Sequence, residues 1–304
     1  MRVGVIDCGT NSIRLLIADI RDGKFHEVER EMKIVRLGQG VDEMGEFHPD
    51  AIDRTLAAVE IYTKELLARG VERIRFCATS ATRDAANRDL FLQGVHDRLG
   101  IYPEVISGEE EAALSFQGAT KGLTGVEGPY LVVDIGGGST EFVLGSREVA
   151  AAKSVNIGCV RMSERHFRSD PPSPDEIAAA TLDINAAISE AAKHVAITSA
   201  KTLIAVAGTA TTVAAAALNL QEYDRDAIHL SRVAAAKVHE ISKMFLSMNR
   251  HQRASLGYMH PGRVDVITAG SLVLSQIMKA TGAAEFIASE SDILDGMAWD
   301  LASR

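Results

Sequence analysis

Apolar and polar positions change period several times along this chain. VGVI (residues 3–6) and IRLLIADI (13–20) are apolar runs of strand length, separated by the small, polar turn DCGTNS (7–12), so residues 2–19 are predicted to form a hairpin. The acidic and basic run from Lys24 to Arg36 predicts further strands with a polar face. A helical period follows Pro49-Asp50, with Ile52, Leu56, Val59, Leu66 and Leu67 on the inner side and Gly70 as the stop. RIRFCATSATR (73–83) is strand-like to Phe76 and then a loop of small polar residues. Asn87 is placed to cap a helix carrying Leu90, Phe91, Val95 and Leu99 up to Gly100. Ile101 to Ile106 reads as a short strand entering SGEEEAALSFQGA, where Ser107 is the expected N-cap and three glutamates complement the helix dipole.

The glycine-rich stretch KGLTGVEGP (121–129) then breaks the pattern, and the opening repeats. YLVVDI is a strand, DIGGGS (134–139) a turn, and TEFVLG a second strand. A strand around Val149 to Val155, a loop at SDPPSPDE and a capped helix from about Asp175 come next. TLIAVAGTATTVAAAAL predicts a buried strand, a Gly208-Thr209 turn and a helix. The segment from Gly262 to Leu301 reads as mostly helical, with a last helix after Asp292 packing back on the first half. Strands followed by helices, twice over, predict an α/β fold of two like domains flanking an interdomain cleft. The expected domains are 1–122, completed by the last helix at about 292–304, and 123–291.

Composition narrows the function classes. With 304 residues, 46% hydrophobic and 24% charged, the chain suits about two globular domains. No apolar run approaches the roughly 20 residues that span a bilayer, and the N-terminus enters a strand without a signal peptide. Cys8, Cys77 and Cys159 have no C-x-x-C spacing, so a reducing cytoplasm is expected rather than a disulfide framework. A net charge of −9 argues against nucleic-acid and membrane-surface binding.

The two turns carry the chemistry. In Gly9, Thr10, Asn11 and Ser12, and again in Gly136, Gly137 and Ser139, glycine permits close backbone approach, successive N–H groups form an anion-binding concavity, and hydroxyls add donors. Asp7 and Asp134 head the turns, and a carboxylate beside phosphate calls for a cation such as Mg²⁺. Glu141 falls on the same strand face as Ser139 and adds a second acid beside Asp134. The N-terminus at Gly208-Thr209 is a third place for phosphate. Arg83, in a loop of small polar residues, suits a terminal phosphate. Glu110 and Glu111 point about 100° apart on a helix, so one of them faces the cleft. Walker A, dinucleotide-binding and G-x-S-x-G patterns are absent, and Ser12 and Ser139 are read as phosphate donors, not nucleophiles.

DCGTNS, ATSATR, SGEEEA, DIGGGSTE and AGT, in this order over nearly the whole chain, resemble the exopolyphosphatase/pppGpp phosphatase family, and other segments resemble its short actinobacterial members. The resemblance implies two ribonuclease-H-like domains of the actin-like ATPase superfamily and Mg²⁺-dependent hydrolysis of the terminal phosphate of inorganic polyphosphate. It puts the general base at Glu111 and the phosphate-gripping arginine at Arg83. Asp134, Gly136, Gly137, Ser139 and Glu141 then match the phosphate and magnesium loop, Asp7 and Gly9 to Ser12 the turn opposite, and Gly208 and Thr209 a further phosphate contact. Guanosine pentaphosphate (pppGpp) is the alternative substrate, a related kinase or a noncatalytic sensor the remaining rivals, and a homodimer is expected. Arg161, Arg165, Arg168 and Arg263 are expected to line an outer strip for successive phosphates.

Overall fold

A computed structural model describes residues 1–21 and 23–304. The chain divides into two compact units, Met1–Gly118 with Ile293–Arg304, and Ala119–Asp292. The sequence boundary near 122 therefore moves to 118, and the return to the first unit begins at Ile293.

The first unit holds strands β1 (Arg2–Cys8), β2 (Ser12–Arg21), β3 (Lys24–Ile34), β4 (Arg73–Ala78) and β5 (Glu104–Val105). Its helices are α1 (Val41–Met44), α2 (Pro49–Ala68), α3 (Ser80–Asp84), α4 (Arg88–Leu99), α5 (Gly108–Thr120) and the chain's last helix, Ile293–Ser303. The sheet order is β3-β2-β1-β4-β5, with β1, β2 and β3 antiparallel in sequence and β4 and β5 parallel to β1. Alternate residues of β1 and β2 serve opposite faces, as a period of two requires. Ile6, Cys8, Ile13, Leu15 and Ile17 bury against α2 and α4, whereas Val3, Val5, Leu16 and Ala18 bury against α5 and the last helix. Because both faces are covered, these strands read as continuous apolar runs.

The second unit repeats the plan. It contains β6 (Tyr130–Ile135), β7 (Thr140–Gly145), β8 (Val149–Val155), α6 (Cys159–His166), α7 (Pro174–Ala192), β9 (Thr202–Val206), α8 (Ala207–Ala217), α9 (Arg225–Ile228), β10 (Arg232–Ala234), α10 (Ala235–Ser247), α11 (Arg250–Ala254), α12 (Ile267–Thr281) and β11 (Glu285–Ala288). The last helix of the first unit is α13 in this numbering. The order β10-β11-β9-β6-β7-β8 contains the arrangement of the first sheet, with β10 added antiparallel at an edge. Both sheets thus have the ribonuclease-H-like order of three antiparallel strands followed by two parallel ones.

Local signals explain several ends. Ser173 accepts from the Glu176 N–H and the Glu176 carboxylate accepts from the Ser173 N–H, a full capping box at α7. Ser107 Oγ accepts from the Glu110 N–H at α5. Asn87 stands at the N-cap of α4 as expected, but its side chain exchanges two hydrogen bonds with the Phe47 backbone in place of a capping bond. β11 interrupts the region read as helical, because four residues, three of them buried, are too short to reveal a period. Among the described residues no helix is long and apolar enough to cross a membrane.

Candidate active site

In the first unit, β1 and β2 are joined by the tight turn 8–12, closed by a hydrogen bond from Gly9 N–H to Ser12 O (3.0 Å). The turn's outer carbonyls are taken by the following loop: Val35 and Arg36 N–H donate to Asn11 O, and Gly38 N–H donates to Thr10 O. Among the described residues the Thr10 and Asn11 N–H groups donate no backbone hydrogen bond, and Thr10 Oγ1 and Asn11 Oδ1 are buried without a hydrogen-bond partner. Such groups are costly to bury unless a ligand completes them. Asp7 lies directly opposite Arg14 in the β1–β2 register, and its Oδ2 accepts from Arg14 Nε (3.1 Å) and Nη2 (2.7 Å).

Arg83 does not sit in an open loop. It lies in the last turn of the short helix α3, and its Nη1 donates to Glu111 Oε2 (2.7 Å) and to Ile106 O (3.0 Å). Glu111, remote in sequence, arrives through the parallel pairing of β4 and β5, which brings the start of α5 beside the end of β4. The neighbouring glutamates part company here. Glu111 is about nine-tenths buried, while Glu110 turns to Arg75, whose Nη2 donates to its Oε1 at 2.6 Å. Glu109 is exposed.

The second unit builds its turn the same way. Gly136 N–H donates to Ser139 O (3.0 Å), Cys159 N–H to Gly136 O, and Val160 and Arg161 N–H to Gly137 O. The start of α6 lies so close that a Cβ on Gly158 would meet the Gly137 carbonyl at 2.3 Å. Among the described residues the Gly137 and Gly138 N–H groups donate no backbone hydrogen bond. With its carbonyls engaged from behind, this turn can present N–H groups to an anion. Asp134 is paired in register with Glu141, and both are deeply buried. Glu141 Oε1 accepts from Ser139 Oγ and Ser154 Oγ, each at 2.7 Å. The Ser139 hydroxyl therefore donates to Glu141, and the Gly137 and Gly138 N–H groups are the turn's donors without a backbone acceptor.

Gly208 and Thr209 lie in the first turn of α8, after its first residue Ala207, which is left-handed (φ 64°). A Cβ on Gly208 would fall 1.6 Å from Arg263 Cζ, so the Arg263 guanidinium lies directly over this helix start. Thr209 faces inward to Cys159 and Gly270. The expected outer strip is altered accordingly. Arg161 is buried, with Nε donating to Gly138 O (2.7 Å), so it braces the turn, and Arg165 pairs with Asp183 (2.8 Å). Sequence reasoning missed Arg14 and Ser154, although the hairpin register places Arg14 opposite Asp7 once the turn is known.

Among the described residues no group of three His, Cys, Asp or Glu side chains could hold a metal ion. Mg²⁺ needs no such cage, because it is held by one or two carboxylates together with phosphate oxygens and water. The facing acids Asp134 and Glu141 suit it, as two like charges directly opposite each other call for a cation. A cavity of about 350 Å³ lined by Leu131, Thr202, Arg232 and Glu285 lies at the opposite end of the strands from this turn and is no part of the site.

Two ribonuclease-H-like units, each carrying a glycine turn between antiparallel strands, define a protein of the actin-like ATPase superfamily. The chain belongs to the Ppx/GppA phosphatase family, whose model matches residues 16–304. It is 47% identical over 314 residues to exopolyphosphatase 2 of Mycobacterium tuberculosis, covering 99% of this chain and 98% of that protein. A crystal structure of an exopolyphosphatase-like protein superposes with a TM-score of 0.96 at 40% identity, covering 100% of this chain and 99% of that one. A guanosine-5′-triphosphate,3′-diphosphate pyrophosphatase of Vibrio vulnificus is 38% identical over 164 residues, 54% of this chain and 33% of that protein.

Proposed function

We propose that the protein is a cytoplasmic exopolyphosphatase that removes the terminal phosphate of inorganic polyphosphate by in-line attack of water. The observation that carries this reading is the 2.7 Å pair between Arg83 and Glu111, a phosphate-binding fork and a carboxylate base held together on one edge of a sheet. A terminal phosphate that takes the guanidinium's N–H groups would compete with Glu111 and free its oxygen for water. Glu111 then accepts a water proton as the new P–O bond forms and the bridging P–O bond breaks, releasing the shortened chain as leaving group. The N–H groups of Thr10, Asn11, Gly137, Gly138, Gly208 and Thr209 are assigned to phosphate oxygens, while the Gly9 and Gly136 N–H groups close the two turns. Asp134 and Glu141 would hold Mg²⁺, which supplies charge neutralisation on the phosphates when bound. Asp7, the third acid assigned to the metal, is paired with Arg14 within its own unit.

Guanosine pentaphosphate is the second reading, favoured by the likeness of about half the chain to a guanosine-5′-triphosphate,3′-diphosphate pyrophosphatase. Rates of phosphate release from long-chain polyphosphate and from pppGpp separate the two. A homodimer is part of the proposal and is checked by light scattering. Glu111→Gln should lower kcat by about 10²–10⁴ while polyphosphate still binds, since the amide keeps the shape but accepts no proton. A loss below about tenfold would remove the base assignment. Binding without any turnover by the unaltered protein under Mg²⁺ would instead favour a sensor.

A further inference from the structure

Arg75, on β4, is a fully buried arginine that the phosphate chemistry does not use. Its guanidinium donates to carboxylates from three separate elements: Glu104 of β5 (Nε 3.0 Å, Nη2 2.7 Å), Glu110 of α5 (Nη2 2.6 Å) and Asp300 of α13 (Nη1 2.9 Å). Burial disfavours its charge, but hydrogen bonding to Glu104 and Glu110 more than offsets this and its pKa is raised. Helix α13 is tied to the same place by a second contact, since a Cβ on Gly296 would lie 2.0 Å from the Leu114 carbonyl of α5. Adjacent glutamates on a helix diverge by about 100°. Here each has its own arginine, Arg75 for Glu110 and Arg83 for Glu111.

We infer that Arg75, with Glu110 and Asp300, is a positioning clamp that sets the rotation of the first turn of α5 and thereby aims Glu111. The inference rests on Glu111 being the general base. A guanidinium fork on a central strand fixes direction as well as charge, which a flexible ammonium does not. Displacement of a catalytic group by about 1 Å can cost on the order of 10²-fold in rate. Glu110 and Asp300 act from the rim of the clamp, with side chains 44% and 29% exposed, so their neutral variants should fold.

The test measures steady-state polyphosphate hydrolysis by Glu110→Gln, Asp300→Asn and Arg75→Lys, each alone and combined with Glu111→Gln. Glu110→Gln is expected to lower kcat by about tenfold with KM unchanged, Arg75→Lys by more, and neither should lower the residual rate further once Glu111 is Gln. Should Arg75→Lys fail to fold, Glu110→Gln and Asp300→Asn carry the test. Unchanged kcat in both, or the same proportional loss with and without Glu111, would overturn the clamp. An active Glu111→Gln single variant would overturn the base assignment instead, so the two failures are distinguishable.

Discussion

The two glycine turns share a backbone and differ in charge. Each is closed by an N–H to carbonyl bond across four residues at 3.0 Å, and each has its rear carbonyls taken by the segment that follows the hairpin or its next strand. Each is headed by a buried aspartate at the same point of the antiparallel register. Opposite Asp7 stands Arg14, whereas opposite Asp134 stands Glu141. The first turn therefore carries its own cation, and the second gathers two acids where a divalent ion would be needed to admit phosphate. One residue on the second strand of a hairpin is enough to give two copies of one motif opposite charge.

Breaking the second turn should have the largest effect. Asp134→Ala and Glu141→Ala are each expected to reduce phosphate release by 10²-fold or more, because the proposed ion loses a direct or water-bridged ligand. Glu141→Gln tests charge alone, since an amide oxygen can still accept from Ser139 and Ser154. Activity within threefold of the unaltered protein in all three variants would remove the acidic pair from catalysis.

At the first turn the expected loss is of stability. Arg14→Gln leaves Asp7 buried beside a neutral partner and should destabilise folding by about 1–3 kcal/mol, below the figure for a fully buried pair because the Arg14 side chain is 20% exposed. Adding Asp7→Asn should recover most of the lost melting temperature. If the single variant melts like the parent protein, the ion pair contributes no structure and the contrast between the turns weakens.

The smallest effect sharpens the functional side of the comparison. Thr10 Oγ1 has no hydrogen-bond partner among the described residues, so Thr10→Val should leave the melting temperature unchanged or slightly raised. The same variant should raise KM for polyphosphate a few-fold. A clear fall in melting temperature with unaltered KM would assign that hydroxyl to the fold and not to substrate.

Much of this was legible in the chain itself. The two hairpins, the α2 and α7 helix starts and the Gly208 turn are set by local periods and capping residues that need no distant partner. What stayed hidden depends on strands meeting far apart in sequence. The Arg83–Glu111 pair is hidden because Glu111 reaches Arg83 through the β4–β5 pairing, and the choice between Glu110 and Glu111 turns on Arg75 thirty-five residues from Glu110. Arg161 and Arg165 looked like an open basic strip because sequence shows charge and not direction, yet one turns in on Gly138 and the other pairs with Asp183. Arg263 takes its place over Gly208 from the single 3-10 turn Pro261–Arg263 before α12, too short for any period to describe.

Phosphate release from long-chain polyphosphate as a function of free Mg²⁺, in parent protein and Glu141→Gln, tests the charge contrast between the turns most directly. The parent protein should be inactive in excess EDTA, recover fully at millimolar Mg²⁺, and need far more Mg²⁺ for the same rate once Glu141 is neutral. Full activity of the parent protein in excess chelator, or identical Mg²⁺ curves for the two proteins, would contradict it.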